Sequence, residues 1–321
     1  MTSQRLDFID IAKGIGILLV ICSHSRCNEL MWFAWAFFMP LFFILSGYTY
    51  QYKDISLLKM AMKKAQRLLI PYFFTNFILI GILAILGKAS LLNIFGIFYS
   101  RYYIIPNDYS LFHWWCAPTW FLTALFMAYL LLFITREWKK AEIICIPIFI
   151  LITYGLCQLP ILLPWSIDTV FIFASFILTG VLFRRYDFFQ LSWKLSIPIG
   201  ILYLIIIHYD GNINYSIRIL GKDPTITFIA GIMGSMMVIW LSKVIDKTLI
   251  KKPLVALGRN SLLIFCFHIP IISTFNYTIE KLLFNANDLF FYLGGICSVI
   301  LTAIIGYYLS LLIYKFFPFL K

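Results

Sequence analysis

Chemistry in this chain has to come from a few ionisable side chains set in apolar runs. The first run holds Asp10, Lys13 and His24. Such groups are costly inside a membrane span and mark functional sites by default. Lys13 and His24 are eleven residues apart. On an α-helix they point within about 20° of one another and sit about 16 Å apart along the axis. One helix face then carries a cation near the inner surface and an imidazole in the outer half of the bilayer. Ser23, Ser25 and Arg26 crowd His24 and suggest a wet site. Two plainer roles remain open: Lys13 snorkelling at a helix end beside Asp10, and His24 hydrogen-bonded within a helix bundle.

A second imidazole, His268, follows Ser261 by seven residues, which puts both on roughly one helix face. His268 falls within a turn or two of the depth of His24, so the two rings can line one cavity. A packing histidine bonded to a backbone carbonyl is the alternative. Lys64 and Arg67 lie one turn apart in the basic, amphipathic stretch 54–67. That stretch reads as a surface helix able to hold an anionic ligand, or as a solvated basic face. His113 and His208 fall at the outer ends of spans and suit an interface. Asp108 and Asp168 also lie on the outer side, without a specific partner.

The elements that must position these groups are membrane helices. The chain has 321 residues, 62% of them hydrophobic, 19% aromatic and 12% charged. Its mean hydropathy is +0.91. Soluble proteins carry about 25% charged residues, so a water-soluble enzyme is excluded, as is a disordered chain. The formal net charge of +12 comes from short clusters between apolar runs. This pattern suits a membrane surface and not a nucleic acid. A span needs about 20 apolar residues. Ten candidates occur: 9–28, 31–50, 68–86, 117–134, 143–159, 167–183, 195–208, 226–241, 257–277 and 289–314. With the N-terminus inside, about 20 of the 26 Lys and Arg residues fall on the inner side. Both termini are therefore expected in the cytoplasm, with the first run retained and not cleaved as a signal.

The expectation is thus an all-α, polytopic integral membrane protein of about ten transmembrane helices, forming a single domain over 1–321. Pro40 can kink the second span, and Ser46 and Gly47 permit close helix approach. The seven cysteines are odd in number and lack the paired spacing of a zinc site, and no metal is expected.

The stretch from Asp7 to His24 resembles the first helix of the acyltransferase-3 family of membrane acyltransferases, which carries an arginine, ten residues and a histidine. Here Lys13 stands for the arginine, which keeps the charge and loses the bidentate fork. The run from Pro40 to Gly47 is similar to the family's second-helix signature. Lys64-Ala-Gln-Arg67 through Tyr72 is similar to its basic motif, with one lysine for arginine. Trp120-Phe-Leu122 and the run Gly258–His268 resemble further family features. Lys13 points to the subgroup similar to fucose 4-O-acetylases and exopolysaccharide acetyltransferases.

The resemblance implies acetyl transfer from cytoplasmic acetyl-CoA, as a co-substrate, to a hydroxyl of a surface polysaccharide or its lipid-linked precursor. It implies a multi-pass protein of a bacterial inner membrane. Lys13, Lys64 and Arg67 would hold the phosphates of the donor. His24 would act as general base or accept the acetyl group itself, with Lys13 and His268 as the other catalytic candidates. Trp120, Asn260 and Ser261 are the candidate acceptor contacts. A glycan transporter or flippase is the alternative, and it predicts inverted repeats, which are not visible.

Overall fold

The computed structural model describes residues 6–51, 54–88, 91–101, 119–135, 140–188, 193–282 and 288–320. Helices dominate: α1 Asp7–Ser23, α2 Phe38–Tyr48, α3 Leu57–Ile85, α4 Leu91–Tyr99, α5 Trp120–Ile134, α6 Ala141–Cys157, α7 Val170–Arg185, α8 Trp193–Asp210, α9 Pro224–Ile245, α10 Lys251–Arg259, α11 Ser261–Leu282 and α12 Asp288–Phe316. Between α8 and α9 a two-residue antiparallel ladder pairs Ile213 with Leu220 and Asn214 with Ile219.

A helix lies over each of the ten apolar runs, and α4 and α10 are additional short helices. Among the described residues, four helices are by length and composition long and apolar enough to cross a membrane: Leu57–Ile85, Pro224–Ile245, Ser261–Leu282 and Leu289–Phe316. The centre of the bundle is formed by α1, α2, α5 and α7, whose side chains are mostly buried. The outer helices leave large apolar side chains uncovered, among them Leu151 (72% exposed) on α6, Ile205 (62%) on α8 and Ile300 (52%) on α12. Bundles whose outward faces are apolar are built for lipid, where only helices and closed barrels satisfy their backbone internally.

Four local expectations change. The surface helix expected at 54–67 and the span expected from 68 are one continuous helix, α3. The Ser56 side chain accepts from the Lys59 amide at 3.3 Å and starts it. At about 43 Å, α3 exceeds the roughly 30 Å hydrocarbon core. Its charged first third lowers the local hydropathy without breaking the helix. The second span, expected over 31–50, is α-helical only from Phe38 to Tyr48. Pro40 sits in its first turn, where a missing N–H leaves nothing unpaired, so it makes no kink. The ninth span starts at Ser261 and not at Leu257. Asn260 caps α10, its Nδ2 donating to the Ala256 carbonyl at 2.8 Å, and separates α10 from α11. The first helix ends at Ser23 and not at Asn28. The hydroxyls of Ser23 and Ser25 donate to the carbonyls of Val20 and Cys22, at 2.8 Å each, and compete with the helix ladder there.

Close backbone approach holds the inner helices. Gly47 of α2 lies on the Ile177 carbonyl of α7, and Gly180 of α7 lies on the Ile44 carbonyl of α2. Gly14 of α1 and Gly258 of α10 are related in the same way, against Leu254 and Asp10. A Cβ at Gly47 would overlap a backbone oxygen, which cannot swing aside. Gly47→Ala should therefore cost about 1–3 kcal/mol and lower the melting midpoint of the detergent-purified protein. An unchanged midpoint would show that α2 and α7 can separate freely.

Candidate active site

Two cavities lie at opposite ends of α1. The first, of about 790 Å³, is walled by the start of α1, the end of α2, the first half of α3 and the ends of α5 and α7. Lys13, Lys63, Lys64, Arg67 and Arg184 all reach its wall, with Asp10 as the one acid there among the described residues. The Lys64 ammonium sits 3.3 Å from the centre of the Tyr129 ring and 5.4 Å from that of Tyr50. These two rings stack at 5.7 Å. An ammonium over two aromatic faces is held in place electrostatically. Arg184 is placed by a hydrogen bond from Nη1 to the Tyr50 carbonyl at 3.2 Å.

The acids of α1 are engaged by α10. Arg259 donates from Nε to Asp10 at 3.1 Å and from Nη2 to Asp7 at 3.2 Å. Lys251 bridges Asp246 and Asp7 at 2.8 Å each. Its hydrogen bonds to these two carboxylates hold its ammonium pKa above the usual lysine range. The Asp10 charge is thus offset from outside the cavity, and the wall keeps a large excess of positive charge. Such a concave surface concentrates polyanions, and the guanidinium of Arg67 suits phosphate geometry.

The second cavity, of about 470 Å³, starts where α1 ends. His24, Arg26 and Glu29 meet Asn276 and Glu280 of α11 and Phe291 and Tyr292 of α12. His24 is exposed to it. The Asn276 Nδ2 donates to the His24 carbonyl at 2.8 Å. Behind His24 lies His268, with ring centres 5.2 Å apart and planes tilted by 47°. His268 is fully buried. Its Nδ1 donates to the Phe265 carbonyl at 2.7 Å. Its Nε2 is buried with no hydrogen-bond partner among the described residues.

The structure therefore brings Lys13, Lys64 and Arg67 to one wall, and His24 and His268 into ring contact. It separates Lys13 from His24, which face different cavities although they share a helix. Trp120 is 6% exposed, tilted against Phe173 at 5.9 Å, and belongs to the core. Neither it nor Asn260 nor Ser261 stands on the wall of either cavity. His208 is exposed at the end of α8. His113 and Asp108 lie outside the described residues. Asp168 is consumed by two buried arginines, Arg101 and Arg218. Arg184, Asn276 and Glu280 were missed. Arg184 sits in a basic doublet that reads as an ordinary inner-side charge, and the α11 pair carries no local signal.

The acyltransferase-3 family model, described as an acyltransferase domain, matches residues 6–314. No curated protein and no solved structure matches the chain.

Proposed function

Because the chain belongs to the acyltransferase-3 family and is a membrane acyltransferase, we propose that it moves an acetyl group from acetyl-CoA to a hydroxyl of a surface polysaccharide or its lipid-linked precursor. The observation that carries this reading is the convergence of Lys13, Lys64 and Arg67 from two helices on one basic cavity. Acetyl-CoA is polyanionic at its nucleotide end, and those cations suit its phosphates. In the ten-span arrangement with both termini inside, every element of that wall contributes its cytoplasmic end, where acetyl-CoA is found. The protein then belongs in a bacterial inner membrane.

The pantetheine arm runs along α1 and brings the thioester toward His24, about 16 Å from Lys13. The acceptor oxygen attacks the acetyl carbonyl carbon, its proton passes to the His24 imidazole, and the C–S bond breaks to release the CoA thiolate. In the variant with a covalent intermediate, the His24 nitrogen attacks the acetyl carbonyl carbon and the C–S bond breaks to release the CoA thiolate; the acceptor oxygen then attacks the acetyl-imidazole, the C–N bond breaks, and the hydroxyl proton goes to the freed imidazole.

The test is acetyl transfer from labelled acetyl-CoA by the purified protein in lipid, together with proton NMR of the host polysaccharide with and without the gene. An O-acetyl signal that vanishes on deletion and returns with the wild type supports the reading. Glycan lost from the surface with an unchanged acetyl pattern would instead indicate a transporter. Lys13→Ala should raise the acetyl-CoA KM roughly 10- to 100-fold, the equivalent of one lost charge-assisted hydrogen bond. Lys13→Arg should keep the wild-type KM within a few fold. An unchanged KM in Lys13→Ala would remove Lys13 from donor binding.

A further inference from the structure

No described residue lines both cavities, and a packed layer lies between them. On α1 that layer is Gly16, Ile17 and Val20, which fall between Lys13 and His24 on or beside the same helix face. Ile17 and Val20 are buried. Gly16 leaves a notch, about 5 Å from Lys13 along the axis and about 12 Å from His24. Side chains of α2 fill it. A Cβ on Gly16 would meet the Phe42 ring at 2.9 Å and the Leu41 side chain at 3.2 Å.

An acyl group carried along α1 has to cross this layer. The contact over Gly16 is the one built to give way. Gly14 lies on the Leu254 backbone of α10, which cannot swing aside. Over Gly16 the nearest atoms are the far edge of a ring, Cζ and Cε2 of Phe42, and rotation about two side-chain bonds removes them. Leu41 is fully buried, and so is Phe43, which stacks on Phe173 at 4.5 Å. Phe42 between them is only half-buried and meets Phe121 edge-on at 5.9 Å. Rings then continue toward the outer cavity: Phe121 to Phe265 at 5.5 Å, Phe265 to His268 at 5.7 Å, and His268 to His24 at 5.2 Å. The ring over Gly16 is thus the first of a line of side chains that ends at His24.

From this packing we infer that Phe42 is the plug on the acyl path and sets the size of the acyl group that passes. With the ring turned aside, the notch at Gly16 lets the thioester end of the donor approach the α1 backbone closely, as a glycine permits. An acetyl group adds one methyl to the carbonyl. A butyryl group adds two further methylenes, which must clear the same gap beside Leu41. The inference rests on the acetyl-transfer reading for the direction of travel.

The test measures transfer of labelled acyl groups from acetyl-, propionyl- and butyryl-CoA to polysaccharide from the deletion strain, with the full chain in lipid nanodiscs. From acetyl to butyryl, the wild-type kcat should fall at least 10-fold while the donor KM stays within a few fold, because the nucleotide end is held in the basic cavity. Phe42→Ala should raise the butyryl-to-acetyl kcat ratio at least 10-fold and leave both KM values unchanged. Phe42→Leu should raise it less, and it decides the matter if Phe42→Ala does not accumulate. Gly16→Leu added to Phe42→Ala puts a side chain into the vacated space. That double variant should melt close to Phe42→Ala, yet its acetyl kcat should fall at least 100-fold at an unchanged KM. The inference is overturned if the Phe42 variants keep the wild-type ratio, or if the double variant transfers acetyl at the wild-type rate. It is also overturned if donor KM changes as much as kcat, which would place Phe42 in donor binding. Each of these results, with an active wild type, leaves the acetyl-transfer reading standing. A wild type that transfers no acyl group from any donor overturns that reading and this inference with it.

Discussion

Replacing His24 by alanine removes acetyl transfer almost entirely while the protein still inserts and accumulates. The expected loss in kcat is about 10²–10⁴-fold for a general base, and larger if the imidazole carries the acetyl group. The residue stands at the end of α1, lines the cavity, and touches the interior through one ring contact, with His268 at 5.2 Å. Deleting it widens the cavity and loses the contact with His268, so the melting midpoint should fall by only a few degrees and the fold should persist. The acetyl-CoA KM should also hold, because the basic cavity begins about 16 Å away. A His24→Ala protein with normal kcat would sink the mechanism. One with a changed acetyl-CoA KM and normal kcat would move His24 from the reacting atoms to donor binding. His268 provides the contrast. It is fully buried with its Nδ1 on the Phe265 carbonyl, so its removal affects packing as well as the ring it touches.

What could be read from sequence was whatever depends on neighbours along one helix. Apolar runs mark the helices, because burial in lipid imposes composition directly. The cations of α3 and Lys13 could be assigned to one end because charge and chain direction together set depth. Depth arithmetic on two helices put His24 and His268 at a similar level, but the expectation that both line one cavity does not hold: His268 is buried on the Phe265 carbonyl, and of the two His24 alone is on the cavity wall. Element ends were less legible. Asn260, Ser23 and Ser25 stop helices through side-chain bonds to nearby carbonyls, and these compete with the helix by small margins. Trp120 shows a different limit. A tryptophan at a helix start suits an interface, a sugar platform or a core equally well, and here the Phe173 ring of α7 decides. Glu29 and Glu280 meet across some 250 residues of chain, and no local pattern foretells that pairing of walls.

The same limit hid the interaction with the largest expected effect on stability, at Asp168. Arg101, Asp168 and Arg218 are almost completely buried. The Asp168 Oδ1 accepts from Arg101, and its Oδ2 accepts from Arg218 at 2.7 Å. The arginines' other donors reach backbone carbonyls. Arg101 bonds to Leu163 at 3.0 Å and Ser216 at 2.7 Å, and Arg218 to Ile161 at 2.9 Å and Leu159 at 2.5 Å. One carboxylate thus fastens the end of α4, the stretch before α7 and the turn after α8. Asp168→Ala leaves two guanidiniums close together with no anion between them. Breaking a buried pair costs about 3–5 kcal/mol, against a total stability of about 5–15 kcal/mol. The variant should accumulate poorly and melt far below the wild type. Glu280→Gln, which breaks the more exposed pair with Arg26, should cost no more than about 1 kcal/mol. Replacing all three buried residues together by leucine or methionine should recover the part of the loss that arises from uncompensated charge, and not the part that arises from the four backbone carbonyls the arginines hold. Asp168→Ala melting within a degree of the wild type would show that water reaches the two arginines.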